Sequence, residues 1–241
     1  MKMQNICLVH GWGANTQKLE PLKKELENLG WTVFLPKLPF FELPEPQNPW
    51  KLEDFTKFID SSAKKFFQGK PYTLFGHSLG GRIGLKIASQ IDTQSSLISL
   101  VLCSAAGVSR PNSIKRFLFK AVAKAGRILK NVSPPKYTIF RKIIYRLAKA
   151  SDYAQITSEI KKETFRNIIE ESLKSQAIQI KIPTLILWGK QDKTTPISDA
   201  YFLQKKIAKS TLKVFPKENH CLPYNQPKAL AIEIDRWFKS L

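Results

Sequence analysis

The sequence predicts an α/β fold with a mostly parallel, doubly wound sheet and an inserted helical segment. Short, continuous apolar runs alternate with stretches whose apolar residues recur at helical spacing. This alternation is typical of parallel strands covered by helices on both faces. A long middle stretch, by contrast, shows helical spacing alone. With 241 residues, 43% of them hydrophobic, the chain is long enough for one sizeable core that carries an insert.

Six strands are predicted, each short and apolar, at residues 5–10, 31–36, 72–76, 97–105, 184–189 and 211–216. Helices are predicted at about 16–29, 52–67, 81–91, 197–208 and 227–239. The proline-rich stretch PKLPFFELPEPQNPW follows the second strand. Because proline is excluded from helix interiors and central strands, this stretch is predicted to be a loop.

Residues 108–181 contain no strand pattern and are predicted to be a helical insert. Apolar residues in 114–129 fall on one helical face, opposite lysines and arginines. A second helix is expected after the SPP break at 133–135, and a third over about 159–174. We therefore assign residues 1–107 and 182–241 to the core and 108–181 to a separate subdomain.

The formal net charge of +20 is concentrated in the insert, where Arg110 to Lys149 include 12 basic residues and no acidic one. A solvated helical face is the simplest interpretation. Two alternatives stay open: a docking surface for an acidic protein such as acyl carrier protein, and contact with an anionic membrane surface. Nucleic-acid binding is disfavoured because no recognised module is present. The sequence does not indicate the oligomeric state.

Three cysteines, Cys7, Cys103 and Cys221, form no C-x-x-C pair, and no apolar run approaches the length needed to cross a bilayer. The first residues, MKMQNICLVHGWG, lack the long apolar region and cleavage site of a signal peptide. We therefore expect a mature, cytoplasmic protein from the first residue.

Ser78 is the candidate nucleophile, because it lies in the stretch TLFGHSLGGRIG between a predicted strand and a predicted helix. Gly76 and Gly80 flank it at −2 and +2, which is the G-x-S-x-G pattern of a sharp strand-to-helix turn that exposes the serine hydroxyl. A Cβ at either glycine is expected to collide with neighbouring backbone in so sharp a turn. The helix that follows directs free N–H groups towards the serine.

The chain has three histidines, which limits the choice of a general base for the serine. His77 adjoins Ser78 in the turn, so its side chain is expected to point elsewhere, and His10 ends the first strand. His220 follows the last strand on a loop at the edge of the sheet where Ser78 lies. His220 is therefore the predicted base.

Asp192, just after the penultimate strand, is the predicted acid that orients this base. Glu218 is too close to His220 in sequence to reach around it easily, and Asp199 falls within the next helix. An aspartate in a turn such as KQDK also has a purely structural explanation, because Asp favours turns.

The motif HGWG at the end of the first strand predicts an oxyanion hole, with the backbone N–H groups of Trp12 and Leu79 as donors. Aromatic residues are candidates for the wall of an apolar pocket, although core packing explains them equally well. These are Trp12, Phe40, Phe41, Trp50, Phe117, Phe119 and Tyr137.

These motifs, in the order HGWG, GHSLGG, WGKQDKTTP and His220, resemble the α/β-hydrolase superfamily in its capped esterase and lactonase branch. The resemblance covers nearly the whole chain. It implies the roles given above for Ser78, Asp192 and His220, and a helical cap formed by residues 108–181. HGWG together with a basic cap is particularly similar to the pimeloyl-carrier-protein methyl ester esterases. The usual leading hairpin is missing, Asn219 replaces a common glycine, and Asn225 replaces an acidic residue.

A serine at the turn suits acyl transfer through an acyl-enzyme, whereas an aspartate would suit dehalogenases and epoxide hydrolases of the same fold. The predicted function is hydrolysis of carboxylic esters or lactones, with no cofactor and no metal, because no dinucleotide or metal motif is present. Two alternatives stay open. One is a non-catalytic small-molecule receptor of the same fold, and the other is an esterase for substrates linked to acyl carrier protein.

Overall fold

A computed structural model describes residues 4–91, 95–108 and 156–241 and contains one six-stranded parallel sheet. The strands are β1 (Asn5–Val9), β2 (Thr32–Phe34), β3 (Tyr72–His77), β4 (Leu97–Cys103), β5 (Thr184–Gly189) and β6 (Ser210–Phe215). Their order is β2-β1-β3-β4-β5-β6, and every neighbouring pair is parallel. The predicted α/β fold with a parallel sheet is confirmed.

The helices are α1 (Glu20–Asn28), α2 (Leu52–Phe66), α3 (Leu79–Ser89), α4 (Glu159–Glu170), α5 (Lys174–Gln179), α6 (Ile197–Lys206), α7 (Leu222–Asn225) and α8 (Pro227–Lys239). A short 3₁₀ helix, Thr16–Lys18, precedes α1. Two buried apolar clusters form the core. One includes side chains of α2, α3, α5 and α6, and the other includes side chains of α1 and α8. The sheet is thus covered on both faces, as predicted for a doubly wound fold.

Burial along the strands follows their position in the sheet. Every residue of β1, β3 and β5 is buried, which explains why these strands read as continuous apolar runs. Edge strand β6 instead alternates between exposed and partly buried residues over its first four positions. Edge strand β2 is shorter than the predicted 31–36, and Pro36, which has no backbone N–H to donate, falls outside it.

Helix boundaries differ from the prediction around the site and the insert. Helix α3 begins at Leu79, directly after Ser78, rather than at 81. The helix expected over about 159–174 ends at Glu170, because Glu171 is extended, and the chain resumes helical structure at Lys174. Helix α7, four residues long, was not predicted, because a single turn has too little periodicity to be recognised.

Residues 107 and 173, near the two ends of the predicted insert, lie side by side next to the sheet. The backbone N–H of Leu173 donates to the carbonyl of Gly107 at 2.8 Å. Next to this contact, the buried guanidinium of Arg82 donates to the carbonyl of Glu171, and the Lys86 Nζ lies 2.7 Å from the Glu171 carboxylate. The first two predicted insert helices lie outside the described residues. The assignment of 108–181 to a separate subdomain stays a prediction.

The basic stretch from Arg110 to Lys149 lies outside the described residues, so its three interpretations stay predictions. In the described ranges, no helix combines the length and apolar character that crossing a membrane requires.

Candidate active site

Ser78 occupies a strained turn between β3 and α3. Its φ of 53° and ψ of −108° place an L-residue in a region that costs conformational energy. The turn is held by backbone hydrogen bonds: the Ser78 N–H donates to the Cys103 carbonyl at 3.2 Å, and the Ser78 carbonyl accepts from Ala106 and Arg82 at 3.0 Å each. Ser78 is half-buried. This geometry is the expected strand-to-helix elbow.

The glycines around Ser78 are required by close backbone contacts. A Cβ on Gly76 would lie 2.3 Å from the Gly80 carbonyl oxygen, and one on Gly80 would lie 2.1 Å from the Val9 carbonyl oxygen. Any side chain at position 76 or 80 would therefore collide with backbone, as the sequence predicts. A Cβ on Gly11 would lie 3.1 Å from the Ser78 Cβ, so the turn after β1 passes directly beside the elbow.

Asp192 and His220 are hydrogen-bonded, with the His220 Nδ1 2.8 Å from the Asp192 Oδ2. The Asp192 side chain is fully buried, whereas 22% of the His220 side chain is exposed. Thr194 and Thr195 donate their backbone N–H groups to Asp192 Oδ1 at 2.8 and 2.9 Å. The Thr195 hydroxyl donates to Oδ2 at 2.8 Å. Thr195 was not singled out from the sequence, where the only signal was its position three residues after Asp192 in QDKTTP.

These hydrogen bonds keep Asp192 ionised. Burial raises the pKa of the Asp192 carboxyl, but the hydrogen bonds from His220 and Thr195 outweigh it, and the pKa lies below its usual value. An ionised carboxylate accepts the Nδ1–H of His220. In the neutral ring the Nε2 atom is then free of a proton and can accept one.

The loop that carries His220 is folded tightly onto the end of β5. A Cβ on Gly189 would lie 2.5 Å from the Glu218 carbonyl oxygen, so backbone contacts backbone there. The Glu218 carboxylate accepts hydrogen bonds from Asn225 Nδ2 at 3.0 Å and Gln226 Nε2 at 2.8 Å. Glu218 therefore joins the two ends of the loop. As expected from its short distance to His220 along the chain, it is not the acid that binds His220.

Asn219 and Asn225, the two departures from the family pattern, both have structural partners. The Asn219 Oδ1 accepts from the Cys221 N–H at 2.8 Å, which closes a turn around His220. Asn225 donates to Glu218 as described. Neither substitution disturbs the Asp192–His220 contact.

The two other histidines are buried and have partners of their own. The His77 ring is directed at the backbone carbonyl of His220 and the hydroxyl of Tyr224. His10 Nδ1 lies 2.8 Å from the Gly11 carbonyl, and His10 Nε2 lies 3.3 Å from the Glu42 carboxylate. Burial lowers the pKa of His10. His220 is thus the partly exposed histidine of the three.

The two predicted oxyanion donors lie at the same edge of the sheet as Ser78. Leu79 is the first residue of α3, and Trp12 follows Gly11, which packs against Ser78. The Trp12 ring packs edge-on against Phe41 at 5.1 Å and Phe165 at 4.8 Å between centroids. The role of the two N–H groups stays a prediction.

The predicted pocket aromatics divide into two groups. Phe40 is buried, with its ring 5.8 Å from Trp50 and 6.0 Å from Phe55 in the core, whereas Phe41 packs beside Trp12. Phe117, Phe119 and Tyr137 lie outside the described residues. The assignment of these residues to a pocket stays a prediction.

Helix α4 contributes residues near Trp12 that the sequence did not single out. Lys161 Nζ donates to the Phe40 carbonyl at 2.5 Å and lies 4.6 Å from the centre of the Phe41 ring, and Phe165 contacts Trp12. Helical spacing in 159–174 indicated an amphipathic helix but not which element it packs against. A cavity of about 400 Å³ lies here, lined by Trp12, Gly13, Glu45, Ile156, Thr157, Ser158 and Lys161.

Metal-ligating side chains are not clustered in the part of the chain that the structure describes, where no three His, Cys, Asp or Glu residues could jointly hold an ion. Cys7 and Cys103 are buried and Cys221 is exposed, and burial raises the pKa of the two buried thiols. These two cysteines therefore behave as small packing groups.

Comparison with known proteins identifies the family. Residues 51–227 match Hydrolase_4, described as serine aminopeptidase, S33. The chain is 26% identical to the AB hydrolase superfamily protein YisY of Bacillus subtilis, over 93% of this chain and 88% of that protein. It is 25% identical to the pimeloyl-[acyl-carrier protein] methyl ester esterase of Pseudoalteromonas atlantica, over 90% of this chain and 87% of that protein.

Solved structures show the same fold. The esterase EaEST from Exiguobacterium antarcticum superposes with a TM-score of 0.74 at 20% identity, covering 98% of this chain and 92% of that one. The family match spans well over half of the 241 residues and includes the elbow, Asp192 and His220. The chain therefore belongs to the Hydrolase_4 family and is an α/β-hydrolase.

Proposed function

We propose that this chain is a serine hydrolase that cleaves carboxylic esters, lactones included, through an acyl-enzyme intermediate. The observation that carries the proposal is the 2.8 Å hydrogen bond between Asp192 and His220. This bond forms at the edge of the sheet where the strained Ser78 turn lies. Nucleophile, base and orienting acid follow one another along the chain in the order Ser, Asp, His, which is the order of α/β-hydrolases.

In this mechanism the Ser78 Oγ attacks the ester carbonyl carbon while its proton moves to the His220 Nε2. The Trp12 and Leu79 N–H groups stabilise the negative charge that develops on the carbonyl oxygen. The C–O bond to the alcohol then breaks, and His220 gives its proton to the leaving oxygen. A water molecule, deprotonated by His220, attacks the acyl-enzyme and releases the carboxylic acid and Ser78.

A small-molecule receptor that kept the pocket is the alternative to catalysis. A receptor has no need of an ionised, fully buried carboxylate that orients a partly exposed imidazole. Asp192 is held in this state by three hydrogen bonds from Thr194 and Thr195 in addition to His220. The arrangement therefore favours an enzyme.

The test is turnover of p-nitrophenyl esters of increasing acyl length, followed by aliphatic and acyl-homoserine lactones. Ser78→Ala should lower kcat on the order of 10³-fold or more. Ser61→Ala, which removes a surface hydroxyl in α2, is the matched control and should leave kcat unchanged. Equal slow rates for wild type and Ser78→Ala would support the receptor. Turnover of aminoacyl arylamides instead of esters would assign the aminopeptidase activity named in the family description.

A second candidate is an ester attached to acyl carrier protein. Two observations favour it: the relative named for a carrier-protein methyl ester and the 12 cations between Arg110 and Lys149. Cations attract an acidic carrier through long-range electrostatic forces, and salt screens this attraction. Turnover of a carrier-linked methyl ester should then fall steeply with ionic strength, while that of a free ester stays constant. An equal response of both esters rejects this candidate, and cosedimentation with anionic vesicles would assign the cations to a membrane surface.

A further inference from the structure

We infer that His77 and Tyr224 are a positioning pair that fixes the main chain of His220 relative to Ser78. The inference rests on the proposed role of His220 as the base. It concerns the residue between Gly76 and Ser78 in the elbow, which the mechanism itself does not use.

Two hydrogen bonds define the pair. The His77 Nε2 lies 2.9 Å from the backbone carbonyl oxygen of His220, and the His77 Nδ1 lies 3.0 Å from the Tyr224 hydroxyl. The two imidazole rings are 4.9 Å apart between centroids. Only 2% of His77 is exposed, so water does not compete for these contacts.

The chemistry of the partners fixes the direction of both hydrogen bonds. A backbone carbonyl can only accept, so the His77 Nε2 carries the proton and donates to His220. Burial is the main reason that the pKa of His77 falls to about 3, and the nearby His220 ring lowers it further. The His77 ring is therefore neutral at physiological pH. Its Nδ1 is then an acceptor for the Tyr224 hydroxyl, whose pKa is raised by burial and which keeps its proton. Tyr224 thus donates to the His77 ring, and the His77 ring donates to the His220 carbonyl.

The pair joins two segments that are far apart in sequence. His77 and His220 are separated by 143 residues, yet one hydrogen bond links the residue preceding the nucleophile to the backbone of the base. Asp192 holds the other side of His220 through the ring Nδ1. With its backbone and its side chain both fixed, His220 has a defined direction for the Nε2 atom that receives the serine proton.

The turn after β1 packs against the same pair. A Cβ on Gly11 would lie 3.2 Å from the His77 Nδ1 as well as 3.1 Å from the Ser78 Cβ. The predicted oxyanion turn, the elbow and the His220 loop therefore meet at His77. A displacement of about 1 Å between such groups lowers the rate of an enzyme on the order of 10²-fold, and this is the displacement that the pair prevents.

Two substitutions of His77 separate its two hydrogen bonds. Gln places an amide N–H₂ near the position of Nε2 and keeps the donor to the His220 carbonyl, whereas Asn reaches only the position of Nδ1 and loses it. We expect His77→Asn to lower kcat by about 10- to 10²-fold with KM unchanged. His77→Gln keeps that donor but loses the acceptor for the Tyr224 hydroxyl, so kcat should fall by only about 3- to 10-fold. Equal losses in both variants, or a change confined to KM, would overturn the positioning role.

Tyr224→Phe is a milder variant for the case in which His77→Asn does not fold. It leaves the His77 ring in place and removes the hydroxyl that donates to Nδ1. We expect kcat to fall by about 3- to 10-fold at constant KM, because the ring loses one of its two anchors. An unchanged kcat would remove Tyr224 from the pair.

Nuclear magnetic resonance of the ¹⁵N-labelled full chain tests the pair without any assay of activity. The His77 ring should show the Nε2–H tautomer and should stay neutral between about pH 5 and pH 8. A ring that titrates near its usual pKa, or that carries its proton on Nδ1, would overturn the inference. If wild type hydrolyses no ester yet shows this tautomer, the proposed function fails while the hydrogen-bonded pair stands.

Discussion

The Nδ1 atom of His220 lies 2.8 Å from the Oδ2 atom of Asp192, although 28 residues separate them in the chain. Asp192 follows β5 and His220 follows β6, and these two strands are parallel neighbours. Their carboxyl ends therefore lie at one edge of the sheet, and so does the end of β3, where Ser78 begins the turn into α3.

Asp192→Asn should lower kcat for esters on the order of 10³- to 10⁴-fold with little change in KM. The amide favours the wrong tautomer of His220, because its N–H₂ group would face the ring nitrogen that now donates. The measurement is steady-state hydrolysis of a p-nitrophenyl ester. Asp60→Asn, at a carboxylate paired with Lys64 on α2, is the control and should keep wild-type rates. A loss below tenfold for Asp192→Asn would argue against its role.

Thr195→Val should destabilise the protein and lower kcat, because the hydroxyl donates to Asp192 Oδ2 at 2.8 Å in a buried site. Hydrogen bonds to charged groups contribute about 1.5–3 kcal/mol to the free energy of unfolding, so we expect a loss in this range. Chemical denaturation measures it. Thr195→Ser retains the hydroxyl and should recover most of the stability and rate, whereas similar behaviour of the two variants would exclude the hydroxyl as the cause.

Gly80→Ala and Gly84→Ala form a matched pair within α3. The new Cβ at position 80 would lie 2.1 Å from the Val9 carbonyl oxygen, and the one at position 84 would lie 2.9 Å from the end of the Leu100 side chain. A side chain can move, but the backbone of a central strand cannot, so Gly80→Ala should cost about 3 kcal/mol or more. Gly84→Ala should cost less than about 1 kcal/mol, because alanine regains helix propensity. Equal unfolding midpoints would contradict this account.

Stability should decrease as the pH falls from about 6.5 towards 3, partly because of His77. Its pKa is about 3 in the folded protein against an ordinary value of 6.5, so in this window the unfolded chain binds one more proton. Each such proton changes the free energy of unfolding by about 1.4 kcal/mol per pH unit. The pKa of Asp192 is also lowered in the folded protein, so protonation of this carboxylate reduces stability further at the acidic end of the range.

The His77 contribution is isolated by His77→Gln, which has no titrating group at this position. Denaturant unfolding at about pH 6 and about pH 4 should show a smaller loss for this variant than for wild type. Parallel losses in the two proteins would mean that His77 is protonated in the folded state.

Much of the fold was predictable because its signals are local. The buried strands are continuous apolar runs, and the G-x-S-x-G turn lies between a strand and a helix, which predicted the position of Ser78. The choice of His220 came from elimination among three histidines, and that of Asp192 from the order Ser, Asp, His along the chain. Both residues follow strands, and the carboxyl ends of parallel strands lie at one edge of a sheet. The structure then shows their contact directly.

The contacts that support the site were not predictable from the sequence. The His77 hydrogen bond spans 143 residues, and Tyr224 lies in a four-residue helix with no periodicity. The HGWG motif singled out Trp12 but gave no sign of its contact with Phe165, because an aromatic residue on a helix is equally typical of a core. Side-chain direction in a turn depends on backbone dihedral angles such as the φ of 53° at Ser78, and composition does not encode it.

The hydrogen bond between Leu173 and Gly107 has a consequence for the length of the segment between them. Because residues 107 and 173 are adjacent in space, the polypeptide between them begins and ends at one point of the sheet, and its length is not dictated by any distance that it must bridge. Doubling such an excursion costs only about 0.6 kcal/mol in closure entropy. Insertions or deletions between residues 107 and 173 should therefore leave the strands, and the groups at their ends, in their places.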